Sequence, residues 1–196
     1  MTVTDVNVVK SAIFERPDDA NKGTLGSLLC VCGSYGMAGA AVMSAKGALR
    51  TGIGLAKCAL PRSIYPIVAQ TILESVYYPL SENADGRISK VNVPFLVSES
   101  CKSSATLVGC GLGVCDDTLK IVFSLIENST TPLVLDADAL NCVAKQPEIL
   151  LRKKAPIIIT PHPGEMSRLT GLATPLVNAE RERVALDFAQ KYGVVT

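Results

Sequence analysis

Short apolar runs alternate with stretches of helical spacing along almost the whole of this chain, and that alternation limits the fold most tightly. Apolar runs at 27–32, 55–60, 75–80, 106–108, 132–135 and 156–159 read as buried strands. Between them, helices are expected at 38–50, 62–71, 91–101 and 116–128, with Pro61 opening the second and Pro94 in the first turn of the third. Helices at 164–170 and 177–192 follow the last run, one over 5–14 precedes the first, and residues 193–196 look like the opening of another strand. Strands that alternate with helices stack as βαβ units, so the expectation is an α/β fold with a mainly parallel sheet covered on both faces. A length of 196 residues suits one domain, 1–196, able to bury a core without disulfides or a structural metal.

Composition removes several function classes. Nineteen Lys and Arg against eighteen Asp and Glu leave a net charge of +1, which argues against broad electrostatic binding of nucleic acid. No apolar run reaches the length that crosses a bilayer, roughly 18–20 residues, so no membrane partner is expected. The seven cysteines form no Cys-x-x-Cys pair and lie near no histidine. They read as small buried hydrophobes of a reducing, cytoplasmic compartment.

Chemistry is expected at strand ends, because parallel sheets bind ligands outside the carboxyl ends of their strands. The first run leads into Gly33-Ser34-Tyr35-Gly36-Met37-Ala38-Gly39-Ala40. Its glycines let backbone amides approach a phosphate at a helix start, or let a helix pack closely on the sheet. The spacing is Gly-x-x-Gly-x-x-Gly and the next acid is Glu74, which departs from the dinucleotide fingerprint, and there is no P-loop. A second bare turn, Gly109-Cys110-Gly111-Leu112-Gly113, follows the fourth run. The fifth leads into Asp136-Ala137-Asp138-Ala139-Leu140-Asn141. Either aspartate could hold a metal or orient a hydroxyl, and Asp138 also reads as the N-cap of the next helix, the preferred reading for that residue. The sixth leads into Thr160-Pro161-His162-Pro163-Gly164-Glu165. His162, the only histidine, is either a ligand contact in a stiff turn or an exposed loop residue; Glu165 either caps the next helix or binds magnesium through water.

Taken in order, Lys22-Gly23-Thr24-Leu25-Gly26, residues 33–41, Ala48-Leu49-Arg50-Thr51-Gly52-Ile53-Gly54-Leu55, Asp136 to Asn141 and Thr160 to Glu165 resemble the nucleotide-dependent NAD(P)H-hydrate dehydratases. The resemblance runs from Lys22 to the end of the chain. It implies a three-layer α/β/α ribokinase-like fold, incomplete at the C-terminus, and an activity that repairs hydrated NADH and NADPH. In that activity ADP or ATP, with Mg2+, phosphorylates the hydroxyl left by hydration, and phosphate then leaves. It further implies that Ala40, Gly113 and His162 contact the hydrated nicotinamide nucleotide, with Gly39, Gly111, Asp136 and Asn141 beside them, and that Glu165 helps organise magnesium. Homo-oligomers are common in the family. The family's Lys-Gly-x-x-Thr segment and its Gly-Ser-Gly-Asp-like turn with the catalytic Asp would lie beyond Thr196. The resemblance therefore assigns no catalytic residue to this chain and implies an inactive fragment. A ribokinase-like kinase of a vitamin alcohol and a non-catalytic nucleotide-binding module are the rival readings.

Overall fold

The computed structural model describes residues 18–20 and 23–196; the helix expected at 5–14, and Lys22, lie outside the described residues. Six strands form one sheet: β1 (Ser27–Val31), β2 (Leu55–Pro61), β3 (Val76–Leu80), β4 (Ala105–Val108), β5 (Leu133–Leu135) and β6 (Ile157–Ile159), in the order β3-β2-β1-β4-β5-β6. Every pairing is parallel. The chain lays β2 and β3 on one side of β1, then crosses over and lays β4, β5 and β6 on the other. This reversal opens a crevice between the carboxyl ends of β1 and β4, where α/β sheets take their ligands. Beyond β6, Val195 exchanges backbone hydrogen bonds with Ile157 and Ile159, the parallel start of a strand that the sequence at 193–196 suggests.

Side chains alternate across the sheet, and β1 divides its residues between two cores. Leu29 and Val31 belong to the larger, with Val108, Leu133, Leu135, Ile157 and Ile159. Cys30 and Cys32 face the smaller, with Cys58 and Leu60. The smaller core is closed by α1 (Ala38–Arg50) through Ala41 and Ala45, and by α2 (Tyr65–Thr71) through Val68. The larger is closed by α3 (Val93–Cys101), α4 (Asp116–Asn128) and α5 (Asp138–Val143), then by α6 (Pro163–Thr170), α7 (Thr174–Ala179) and α8 (Arg181–Tyr192). These two faces make the three layers. Among the described residues no helix is long and apolar enough to cross a membrane.

Three local expectations need correction. Pro61 ends β2 instead of opening a helix; a 3-10 turn, Arg62–Ile64, follows, and Pro66 occupies the first turn of α2. The helix expected at 177–192 breaks at Glu180 (φ −127°, ψ 39°) into α7 and α8. Its buried residues, Val177, Val184, Phe188 and Tyr192, keep continuous helical spacing and no Gly or Pro marks the break, so pattern alone carries no signal for it. Four cysteines are buried as expected, but Cys101 is exposed and Cys110 and Cys115 are half-buried.

Candidate active site at the carboxyl edge of the sheet

Because β1, β4, β5 and β6 are parallel neighbours, the four polar or glycine-rich turns that leave them share one edge. Hydrogen bonds join each turn to the next. At the crevice, Gly33 N donates to the Cys110 carbonyl at 2.8 Å, and the buried Ser34 hydroxyl donates to the Gly111 carbonyl at 2.8 Å. Gly111 sits so close to α1 that an added Cβ would come within 2.6 Å of the Ala40 methyl. Side chains any larger at 111 or 40 would push the two turns apart.

The β4 and β5 turns are joined by carboxylates. Asp136 accepts from the Cys110 thiol at 3.2 Å and from Thr160 Oγ1 at 2.8 Å, so it ties three strands together. Asp138 Oδ2 accepts from Gly113 N at 2.8 Å, and its Oδ1 lies 3.3 Å from Asn141 Nδ2. This replaces the N-cap expected of Asp138: it is the first residue of α5, and the cap position belongs to Ala137. Asn141 in turn accepts from Arg168 Nη1 at 3.0 Å. The tightest approach is at Gly109 (φ +126°), where a Cβ would fall 1.9 Å from the Asp136 carbonyl oxygen. Glycine is required there by both conformation and space.

His162 is the N-cap of α6. Its Nδ1 accepts from Gly164 N at 3.0 Å, and its Nε2 lies 3.2 Å from Glu165 Oε1. The pair of contacts assigns the imidazole proton to Nε2. Glu165 Oε2 accepts from His162 N at 2.9 Å, completing a reciprocal capping box. The ring itself is 62% exposed at the rim, while the Glu165 side chain is buried. The histidine is thus held by the helix start while its ring faces outward.

That geometry bears on magnesium. Glu165 Oε2 is engaged in the cap and its Oε1 faces His162 Nε2, while both Asp136 oxygens are engaged in the lacing, so a direct metal contact at either carboxylate would compete with these interactions. Among the described residues no group of three or more His, Cys, Asp or Glu side chains could hold a metal ion.

The thiols at the crevice are electronically distinct. Hydrogen bonding between the two holds Cys110 below the usual thiol range and, together with burial, pushes Cys32 well above it. Cavities flank the lacing at both ends. One of about 340 Å³ lies by the His162 turn, between Thr160, Pro161, Met166 and Arg181. Another, of about 470 Å³, lies beyond β1, between Tyr35, Ser63, Glu82 and Asp85.

Each site residue expected from the sequence thus falls on this edge or in the helices that start from it: Gly39 and Ala40 in the first turn of α1, Gly111 and Gly113 after β4, Asp136 directly after β5, Asn141 within α5, and His162 and Glu165 at the start of α6. The sequence reading missed Ser34 and Thr160, although both sit inside motifs it singled out. It also missed Arg87, whose guanidinium lies against Gly113; twenty-six positions separate the two and no motif links them.

A family profile described as NAD(P)H-hydrate dehydratase matches residues 28–196. The chain is 38% identical over 176 residues to a bifunctional NAD(P)H-hydrate repair enzyme from Thermofilum pendens, covering 90% of this chain and 34% of that protein. It is 32% identical over 169 residues to an ADP-dependent (S)-NAD(P)H-hydrate dehydratase from Neisseria meningitidis, covering 85% of this chain and 53% of that protein. Among solved structures, the Bacillus subtilis ADP/ATP-dependent NAD(P)H-hydrate dehydratase co-crystallised with ATP and Mg2+ superposes with a TM-score of 0.77 at 26% identity, covering 96% of this chain and 62% of that one. The chain spans about a third of the length of the first curated relatives it matches. With the parallel order β3-β2-β1-β4-β5-β6, the laced carboxyl edge and a profile match over most of its length, the chain belongs to the NAD(P)H-hydrate dehydratase family.

Proposed function

We propose that this chain supplies the hydrate-binding side of a nucleotide-dependent dehydratase that returns the S-form of hydrated NADH or NADPH to NADH or NADPH. The observation that carries the reading is the lacing of four strand-end turns around the β1–β4 crevice, which fixes Ala40, Gly113 and His162 relative to one another before any ligand arrives. Such preorganisation suits a site that must hold a ring hydroxyl in one orientation.

The chemistry follows from leaving-group strength. Hydroxide leaves a saturated ring carbon poorly. Transfer of the terminal phosphoryl group of ADP or ATP to the ring hydroxyl makes a phosphate ester. Loss of a proton from the neighbouring carbon and departure of inorganic phosphate then restore the double bond. This chain's residues bind and orient: Ala40 and Gly113 border the crevice, and His162 offers a ring whose proton sits on Nε2. Mg2+ would be held chiefly by the nucleotide phosphates, whose charge it would offset, with Glu165 reaching it through water. Seven free thiols, four of them buried, favour a reducing cytoplasmic setting.

Isothermal titration of the chain with S-hydrated NADH tests the reading, with intact NADH as the control ligand. Saturable binding of the hydrate is expected, and His162→Ala is expected to weaken it by a few-fold to about a hundred-fold, the range for one lost hydrogen bond. No binding of the hydrate by the folded chain, or equal affinity in the variant, refutes it.

A further inference from the structure

A dinucleotide has a second half, and the residues discussed so far hold only the first. Resting on the hydrate-binding reading above, we propose that the adenosine half of the hydrated dinucleotide binds at the far end of the rim, stacked on Tyr35, with the Arg87 guanidinium taking the pyrophosphate between the halves.

Two turns build that end. The turn after β1 presents Tyr35 with 75% of its surface exposed. Its backbone is held: Tyr35 N donates to the Gly86 carbonyl at 2.9 Å, and Gly86 packs on it so tightly that a Cβ there would come within 2.4 Å of the Tyr35 Cβ. The turn after β3 is braced in its own right. Asn83 Oδ1 accepts from Asp85 N and Arg87 N, each at 3.1 Å, while Asn83 Nδ2 donates to Asp117 at 2.9 Å. An exposed aromatic ring on a fixed backbone loses little freedom when a base stacks on it.

Between the two turns lies the cavity of about 470 Å³, which Tyr35, Ser63, Glu82, Asn83, Asp85 and Gly86 line. Its carboxylates suit ribose hydroxyls, the partner that acids find in other dinucleotide sites. The cavity by His162 offers a different chemistry: mostly apolar side chains, among them Ile159, Met166 and Val177, surround Arg181, with Thr160 and Thr196 the other polar residues and no Asp or Glu in the lining.

Arg87 stands between the crevice and the Tyr35 cavity. An added Cβ on Gly113 would lie 2.5 Å from Arg87 Nε, so the guanidinium rests on the backbone of a residue assigned to the nicotinamide half. Its ion pair, with Asp85 at 3.4 Å, involves a carboxylate 68% exposed and is weak for that reason. The order along the rim is then nicotinamide contacts, cation, cavity, which is the order of ring, phosphates and adenosine in the ligand. Distance agrees: β1 and β6 are three strand spacings apart, about 14 Å, so the ligand must extend across strands, and the Tyr35 cavity lies further along the same line.

The test compares two ligands by isothermal titration: hydrated NADH, and hydrated reduced nicotinamide mononucleotide, which lacks the adenosine half. The wild-type chain should bind the dinucleotide more tightly. Tyr35→Ala should weaken the dinucleotide roughly 5- to 100-fold, the range for one base–aromatic stack, and leave the mononucleotide unchanged; Arg87→Gln should lower dinucleotide affinity and, because the mononucleotide keeps one of the two phosphates, mononucleotide affinity as well. Equal wild-type affinity for the two ligands overturns the inference while leaving the hydrate site standing. So does a Tyr35→Ala variant with unchanged dinucleotide binding, or a selective loss in Arg181→Gln instead. A folded wild-type chain that binds neither ligand removes the hydrate site and this inference together.

Discussion

Asp138 offers the sharpest test of how the rim is held. Its carboxylate accepts from Gly113 N at 2.8 Å and lies 3.3 Å from Asn141 Nδ2. Asp138→Ala removes both contacts and leaves the Gly113 amide without its acceptor. A hydrogen bond to a charged group contributes roughly 1.5–3 kcal/mol, and the half-buried position puts this one near the low end. The longer Asn141 contact adds about 0.5 kcal/mol at most. The expected loss is about 2 kcal/mol. With a urea m-value of about 2 kcal/mol/M for a domain of this size, the unfolding midpoint should fall by about 1 M with an unchanged slope. Asp138→Asn keeps an oxygen for Gly113 and should lose only about 1 kcal/mol. Hydrate affinity should fall in Asp138→Ala more than in Asp138→Asn, since only the first frees the β4 turn. A midpoint within about 0.2 M of wild type for Asp138→Ala would refute the argument that this carboxylate fastens the site. Equal losses in the two variants would refute the hydrogen-bond explanation.

Ala137 is the one described residue other than glycine with positive φ (50°, ψ −114°), a conformation glycine adopts freely; Ala137→Gly should therefore stabilise the chain by about 1 kcal/mol in urea unfolding, against the usual effect of a glycine. Lys102, then Tyr78 and Lys57, hold the buried Glu99 carboxyl below the usual glutamate range. Its contribution to stability is full above the unfolded-state value, about 4.3, and is lost as pH falls through the lower folded-state value, so Glu99→Gln should flatten the acid limb of a stability–pH curve; an unaltered limb would count against the cluster. Peptide mapping after brief alkylation near pH 7.5 should find the exposed Cys101 and the half-buried Cys110 and Cys115, both held below the usual thiol range, labelled first. Cys142, pushed up to about 11 by burial, and Cys30, pushed higher still by the same cause, should be labelled last.

The strands and most helices were legible because burial on both faces leaves nearly unbroken apolar runs, and because turn residues bound them. Helix α4 (Asp116–Asn128) and helix α1 (Ala38–Arg50) have the expected limits. The break at Glu180 was not legible, since the residues on either side keep one helical stripe. At the site, residue types pointed to the rim but not to partners. Asp138 looked like an N-cap because local sequence cannot reveal that Gly113, twenty-five positions earlier, presents an amide to it. Glu165 and His162 carried their partnership within one turn, and the capping spacing was readable there. Arg87 was invisible for the opposite reason: its place beside Gly113 arises only when the turn after β3 folds back across β1.

The central claim is that the carboxyl edge of β1, β4, β5 and β6 is a hydrate-binding site. Amide NMR spectra of the chain titrated with S-hydrated NADH test it most directly. Shifts are expected at Ala40, Gly111, Gly113 and His162, and none at Ser103 or Thr131, which precede β4 and β5 at the opposite edge. Shifts concentrated at that opposite edge, or saturation with the hydrate that leaves all four rim amides unmoved, would contradict it.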